Sequence, residues 1–282
     1  MPDQTRPPSG RVAALLYALV ISGYGVWVLL GALLTMRVYS EGRGPVLVPL
    51  LLGALFVSLG PLLATLRVPL LRGWSGWRLD SGLRPSRETL LALACYLPAL
   101  GVAGLARGDN DFWATRLLSA GLVACSLACL AYQSRRGDAA SPPRQMVPLP
   151  VERVIAACYG GGLWLMLCVI LQNPDVHSTD TRAWTIGLLM LALLSGLVEG
   201  VRWQSVTGRD VLSRWRQRFL AAGMTYAVPC LVLLLLPGSS DGRWLMLAAA
   251  VSCVWGRGID LHLHETAIRH MHDAPPVPGE AG

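Results

Sequence analysis

Apolar residues run through this chain in eight long blocks that are nearly free of charge, near 12–35, 45–66, 88–106, 115–133, 153–172, 183–201, 219–236 and 244–261. A bilayer core about 30 Å thick is crossed by roughly 20 apolar helical residues. Inside lipid the backbone must satisfy its own hydrogen bonds, so each block is expected to be a helix. The pattern predicts an all-α, polytopic integral membrane protein with eight transmembrane helices, forming a single transmembrane helical-bundle domain over 1–282. Residues 1–11 read as a polar tail, 134–152 as a Pro-rich, charged linker between two groups of four helices, and 266–282 as a polar C-terminal tail.

Composition narrows this further. Of 282 residues 53% are hydrophobic and 15% charged, against about 25% charged in an average soluble domain. The net charge is +7, and every basic residue is arginine. In a soluble protein that balance would point to nucleic acid. Here the arginines sit at helix ends and in loops, which points to membrane topology. With eight crossings the side holding both termini carries 18 arginines, while the other carries Arg37, Arg43, Arg107, Arg116, Arg182 and Arg243. The positive-inside bias then puts both termini in the cytoplasm. The first apolar block is about twice the length of a signal-peptide core, so a retained span is expected there.

The loop over 67–87 mixes Trp74 and Trp77 with Arg67, Arg72, Arg78, Arg84 and Arg87. Tryptophan with arginine favours the headgroup layer, although a plain positive loop would read the same way. The following helix carries Tyr96 and Pro98. An echo lies about 130 residues on, where Trp203, Arg209, Arg214, Trp215 and Arg216 precede a helix with Tyr226 and Pro229. This suggests two four-helix units, as in membrane proteins built from repeats. Gly160, Gly161 and Gly162 in the fifth block, and Gly196 and Gly200 in the sixth, are expected to serve close helix packing.

Few residues can carry chemistry. Glu88 stands where the arginine-rich loop enters the third helix. It is either a partly desolvated proton acceptor or a plain acid at a helix N-terminus. Glu199 and Arg202, three apart, share a helix face and read as a local ion pair, with a proton relay as the alternative. His262, His264, His270 and His272 cluster with Glu265 beyond the eighth block, but their spacing fits no compact zinc motif, so a solvated, partly helical tail is expected. The seven cysteines form no Cys-x-x-Cys pair and read as packing residues; Cys125 and Cys129 share a face. No histidine falls near mid-membrane, so a bis-histidine haem is not expected.

Several segments together resemble the membrane anchor subunit of the dimethyl sulfoxide reductase family. The family's second helix ends in Ser-x-Leu-His-Leu-Gly-x-Pro-x-Arg, and its third begins with Leu-Ser-x-Glu. The corresponding text is ATLRVPLLRGW and SGLRPSRET, in which Leu66, Arg72, Ser86 and Glu88 match in kind. Pro150 with Gly160 and Gly161 fits the family's fifth helix, and Gly256 with Arg257 its last. Arg67 stands where the family has its quinol-linked histidine. The resemblance implies an eight-helix subunit of the bacterial inner membrane that oxidises menaquinol or a related quinol. It implies an iron–sulfur subunit and a molybdopterin catalytic subunit as partners in anaerobic respiration, with no cofactor or metal bound by this chain. It places the quinol at Glu88, Arg67 and Arg72, and Arg78, Arg84 and Arg87 on the docking face. Two other readings stay open: a small-solute transporter, and a structural membrane protein that has lost quinol binding.

Overall fold

A computed structural model describes residues 11–38, 42–65, 87–106, 112–138, 149–172, 180–204, 215–236 and 242–273, of which 60–65, 87–89, 134–138, 149, 180–181, 204, 265 and 267–273 are described as backbone alone. Each segment is built on a helix, and no strand occurs among the described residues. The helices are α1 (Arg11–Thr35), α2 (Arg43–Thr65), α3 (Arg87–Leu105), α4 (Trp113–Asp138), α5 (Leu149–Gln172), α6 (Asp180–Gln204), α7 (Trp215–Leu235) and α8 (Gly242–Asp273). Six of them, α1 and α4 through α8, are long and apolar enough to cross a membrane; the apolar parts of α2 and α3 are shorter, Arg43–Leu59 and Leu90–Leu105.

Helix ends differ from the apolar blocks where polar residues continue the helix. α8 runs to Asp273, so the first residues of the expected C-terminal tail are helical. Nothing between Gly258 and Ala274 breaks it, and Pro275 cannot be followed back into a helix. α4 likewise continues to Asp138 into the expected linker. Pro150 falls in the first turn of α5, where its missing N–H costs nothing.

The centre of the bundle is the α1–α5 crossing. A Cβ added at Gly25 would land on the Ala157 carbonyl, and one at Gly161 on the Gly25 and Val26 backbone. Backbone meets backbone there, which only glycine allows. Around this pair the neighbours follow one rule: α1 packs on α2, α4 and α8, and α5 packs on α6, α8 and α4, while α3 packs on α4 and α7 on α8. Exchanging α1–α4 for α5–α8 leaves that scheme unchanged, apart from an added α2–α5 contact.

Two apolar cores result. One gathers Tyr24, Trp27, Cys95, Leu122 and Leu130 from the first four helices, with Ala157 and Leu165 of α5. The Trp27 indole donates to the Leu50 carbonyl at 3.0 Å, and Tyr96 packs edge-on against it at 5.3 Å. The other joins Tyr159, Leu163, Leu188, Leu233, Met246 and Cys253. The opposite faces of α6 and α7 leave Ile186, Met190, Leu193, Phe219, Leu231 and Leu234 exposed. Apolar surface that extensive fits contact with lipid chains.

The glycines divide. Gly160, Gly161 and Gly162 are packed against Ser22, Gly25 and Leu188, as expected. Gly196 and Gly200 are not: a Cβ at either would meet nothing within 4 Å. Their side of α6 turns away from the core, so core packing does not explain that spacing.

Candidate functional site

The charged residues that this fold buries, among those described, lie at one end of the second half, where α5 and α7 begin and α6 and α8 approach their ends. Trp184 and Trp203 are 19 residues apart on α6, or about 28 Å at 1.5 Å per residue, close to the hydrocarbon thickness. That spacing is compatible with one tryptophan near each face of a bilayer. The polar residues form two layers below the Trp203 end.

The outer layer is built on Arg202. Its Nη1 donates to Glu152 Oε1 of α5 at 2.6 Å, and its Nη2 donates to Asp260 Oδ2 of α8. Asp260 Oδ1 also accepts the Trp203 indole N–H at 3.0 Å. Glu152 and Asp260 are buried, at 8% and 3% exposure. Three helices are thus fastened through one guanidinium, whose planar fork suits two carboxylates at once.

The inner layer is built on Glu199. Tyr226 of α7 donates to Glu199 Oε2 at 2.5 Å. Arg257 of α8 reaches the same oxygen at 3.4 Å, and its Nη2 donates to Ser195 Oγ at 2.5 Å. Ser195 Oγ and Tyr226 OH are 3.2 Å apart, closing a ring of four side chains. Glu199 is 8% exposed and Ser195 3%.

A local distortion aims Tyr226. Residues Gly223–Ala227 form one π-helical turn inside α7, a feature common at functional positions. Pro229 has no N–H for the carbonyl four residues before it, that of Thr225. The Tyr159 hydroxyl supplies the missing donor at 3.0 Å. Ser252 donates to the Met224 carbonyl at 2.8 Å, and Thr225 to the Ala221 carbonyl at 2.8 Å. Gly256 lets α8 press against the Thr225 backbone. Tyr159 stacks on Tyr226 at 5.9 Å, fixing the ring that faces Glu199.

The two layers hold three carboxyls, Glu152, Glu199 and Asp260, against two guanidiniums, Arg202 and Arg257. Within these layers the carboxyls outnumber the guanidiniums by one, with the Arg218 guanidinium close by on the Trp203 ring. The ring of Ser195, Glu199, Tyr226 and Arg257 offers a carboxylate, two hydroxyls and guanidinium donors within one small volume.

Sequence reasoning placed its candidates elsewhere. Arg67, Arg72, Arg78 and Arg84 lie outside the described residues, and Arg87 and Glu88 are described only as backbone in the first turn of α3. Glu199 and Arg202 attract one another along α6, but their hydrogen-bonding partners lie on other helices too, Arg257 and Tyr226 for Glu199, Glu152 and Asp260 for Arg202. Side chains three apart on α6 point to different neighbours once the helix is packed. Glu152 and Asp260 were missed altogether. Asp260, three residues after Arg257 in an otherwise apolar run, was the available signal.

The histidine cluster lies on the helical last stretch of α8, in line with a partly helical tail. Among the described residues no group of three His, Cys, Asp or Glu could hold a metal. Cys129 meets Cys95 of α3, sulfur to sulfur at 3.4 Å, as a buried packing contact. Comparisons with protein families, with characterised proteins and with solved structures give no match to the chain.

Proposed function

We propose that the chain is a subunit of a bacterial inner membrane, crossed by all eight helices, that oxidises a quinol and hands its electrons to an iron–sulfur partner and onward to a molybdopterin catalytic subunit. With 23 and 19 residues, α2 and α3 are about 35 and 29 Å long, enough to cross alongside the others. The observation that carries the reading is the Glu199 ring: a carboxylate, a phenol, a hydroxyl and a guanidinium held together inside apolar helices. Ionisable groups kept at that cost mark proton and substrate paths.

Quinol oxidation releases two protons and two electrons. Glu199 is placed to accept a proton from a quinol hydroxyl. Arg257, 3.4 Å from the Glu199 carboxylate oxygen, and Ser195 beside it are placed to hold that quinol oxygen as it loses its proton. Glu152 and Asp260 continue the run of carboxylates toward the arginine-rich end, which the positive-inside bias assigns to the cytoplasm together with both termini. The family resemblance puts the quinol at Glu88, Arg67 and Arg72 instead. In sequence those residues fall between the end of α2 and the first turn of α3, as the residues between α6 and α7 do in the second half. In this proposal the first-half end, with Arg78, Arg84 and Arg87, serves the docked partner.

The test uses the chain purified in mild detergent with its bound partners and reduced by a water-soluble menaquinol analogue. Glu199→Gln lowers the rate on the order of 100-fold while the partners still co-purify. Unchanged turnover removes Glu199 from the mechanism, and a loss confined to Glu88→Gln returns the headgroup to the first half.

A second reading, a small-solute transporter, draws on the exchangeable halves of the bundle, an arrangement that suits alternating access. Flux through proteoliposomes holding the chain alone separates the two: a transporter needs no partner.

A further inference from the structure

Beside the ion layers, the second half holds a group of atoms that the proposed quinol chemistry does not use. The Arg218 guanidinium of α7 lies 3.9 Å from the centre of the Trp203 ring. The His264 ring of α8 meets the same indole edge-on at 5.4 Å. Arg218 Nε and His264 Nε2 are both buried and have no hydrogen-bond partner. Arg202 is already held by Glu152 and Asp260, and no carboxylate among the described residues pairs with Arg218. A buried guanidinium N–H without an acceptor is costly, and an anionic oxygen relieves it best.

The place says which anion. Trp203 stands about 28 Å from Trp184 along α6, a spacing compatible with headgroup depth. Trp215, Phe219 and Leu220 of α7 are exposed beside Arg218 and offer an apolar wall toward the hydrocarbon.

We propose that Arg218 and His264, both held on the Trp203 indole, form a site for the phosphate of an anionic phospholipid, whose acyl chains lie along the exposed face of α7. Basic niches between membrane helices bind such headgroups. Inorganic phosphate shares the chemistry but gains nothing from the apolar wall.

Native mass spectrometry of the delipidated full chain decides it, with dioleoyl phosphatidylglycerol, dioleoyl phosphatidylcholine and inorganic phosphate added separately. The site predicts one phosphatidylglycerol retained per chain, at least about tenfold in preference to phosphatidylcholine. Arg218→Gln reduces that retention by about tenfold, and Arg243→Gln, at the opposite end of α8, leaves it unchanged. Equal retention of phosphatidylcholine, or unchanged retention in Arg218→Gln, overturns the proposal. Displacement of the lipid by millimolar inorganic phosphate would make it a soluble-anion site and overturn the lipid assignment. If Arg218→Gln fails to fold by gel filtration, His264→Gln is read instead, and undiminished retention there is equally decisive. Quinol turnover is not part of this measurement, so failure here and failure of Glu199 are separate results.

Discussion

The two four-helix halves share a packing scheme and differ in what fills it. Tyr96 on α3 and Tyr226 on α7 occupy equivalent places about 130 residues apart. Tyr96 donates to a backbone carbonyl, that of Ala54, at 3.2 Å. Tyr226 donates to a carboxylate, that of Glu199. The described core of the first half holds aromatic rings, cysteines and aliphatic side chains, with the uncharged hydroxyls of Ser22, Thr115, Ser119 and Ser126; the second adds three acids and two arginines. A bundle of this shape therefore packs around an apolar centre. Buried ion networks contribute little net stability over a well-packed apolar core, so this network is better explained by what it does than by what it holds together.

The largest effect should come from breaking that network on one side. Arg202→Met leaves Glu152 and Asp260 buried without their cation, a loss of about 3–5 kcal/mol, seen as a large fall in melting temperature in detergent. Adding Glu152→Gln and Asp260→Asn should restore most of it; no restoration would mean that the first half too depends on the ion layer. Next comes the crossing between halves. Gly161→Ala drives a methyl into the Gly25 and Val26 backbone, at a cost of about 1–3 kcal/mol. Gly200→Ala, facing open space, should stay within about 0.5 kcal/mol, and the contrast is read in the same melts. Below the Gly161 effect come the tyrosines. Tyr159→Phe strips the Thr225 carbonyl of its donor for about 1 kcal/mol, and Tyr96→Phe should cost about the same. Of the two, Tyr159→Phe alone should also disturb quinol turnover, because it alone loosens the π-helical turn that aims Tyr226.

The helical class and the rough position of every helix were legible in the apolar blocks, because lipid leaves the backbone no alternative. The echo around Tyr96 and Tyr226 was legible as well, and the neighbour scheme shows the same halves. Helix ends were not, since Arg216, Arg218 and His264 continue helices that an apolar pattern closes early. The site was half legible. Glu199 stood out as an acid in an apolar run, but its partners could not be read from spacing. Tyr226 is 27 residues after it and Arg257 is 58 after it, and only packing brings α6, α7 and α8 together. The glycine spacings were ambiguous for the same reason: Gly160 to Gly162 face α1 and α6, whereas Gly196 and Gly200 face outward.

The central claim is that the Glu199 ring, in the second half, receives a quinol headgroup. Titrating the purified chain with a fluorescent hydroxyquinoline analogue of quinol tests it without any partner. One analogue should bind per chain, Glu199→Gln should abolish its fluorescence quenching, and Glu88→Gln should leave it intact. Full quenching in Glu199→Gln together with its loss in Glu88→Gln would put the headgroup in the first half and contradict the account.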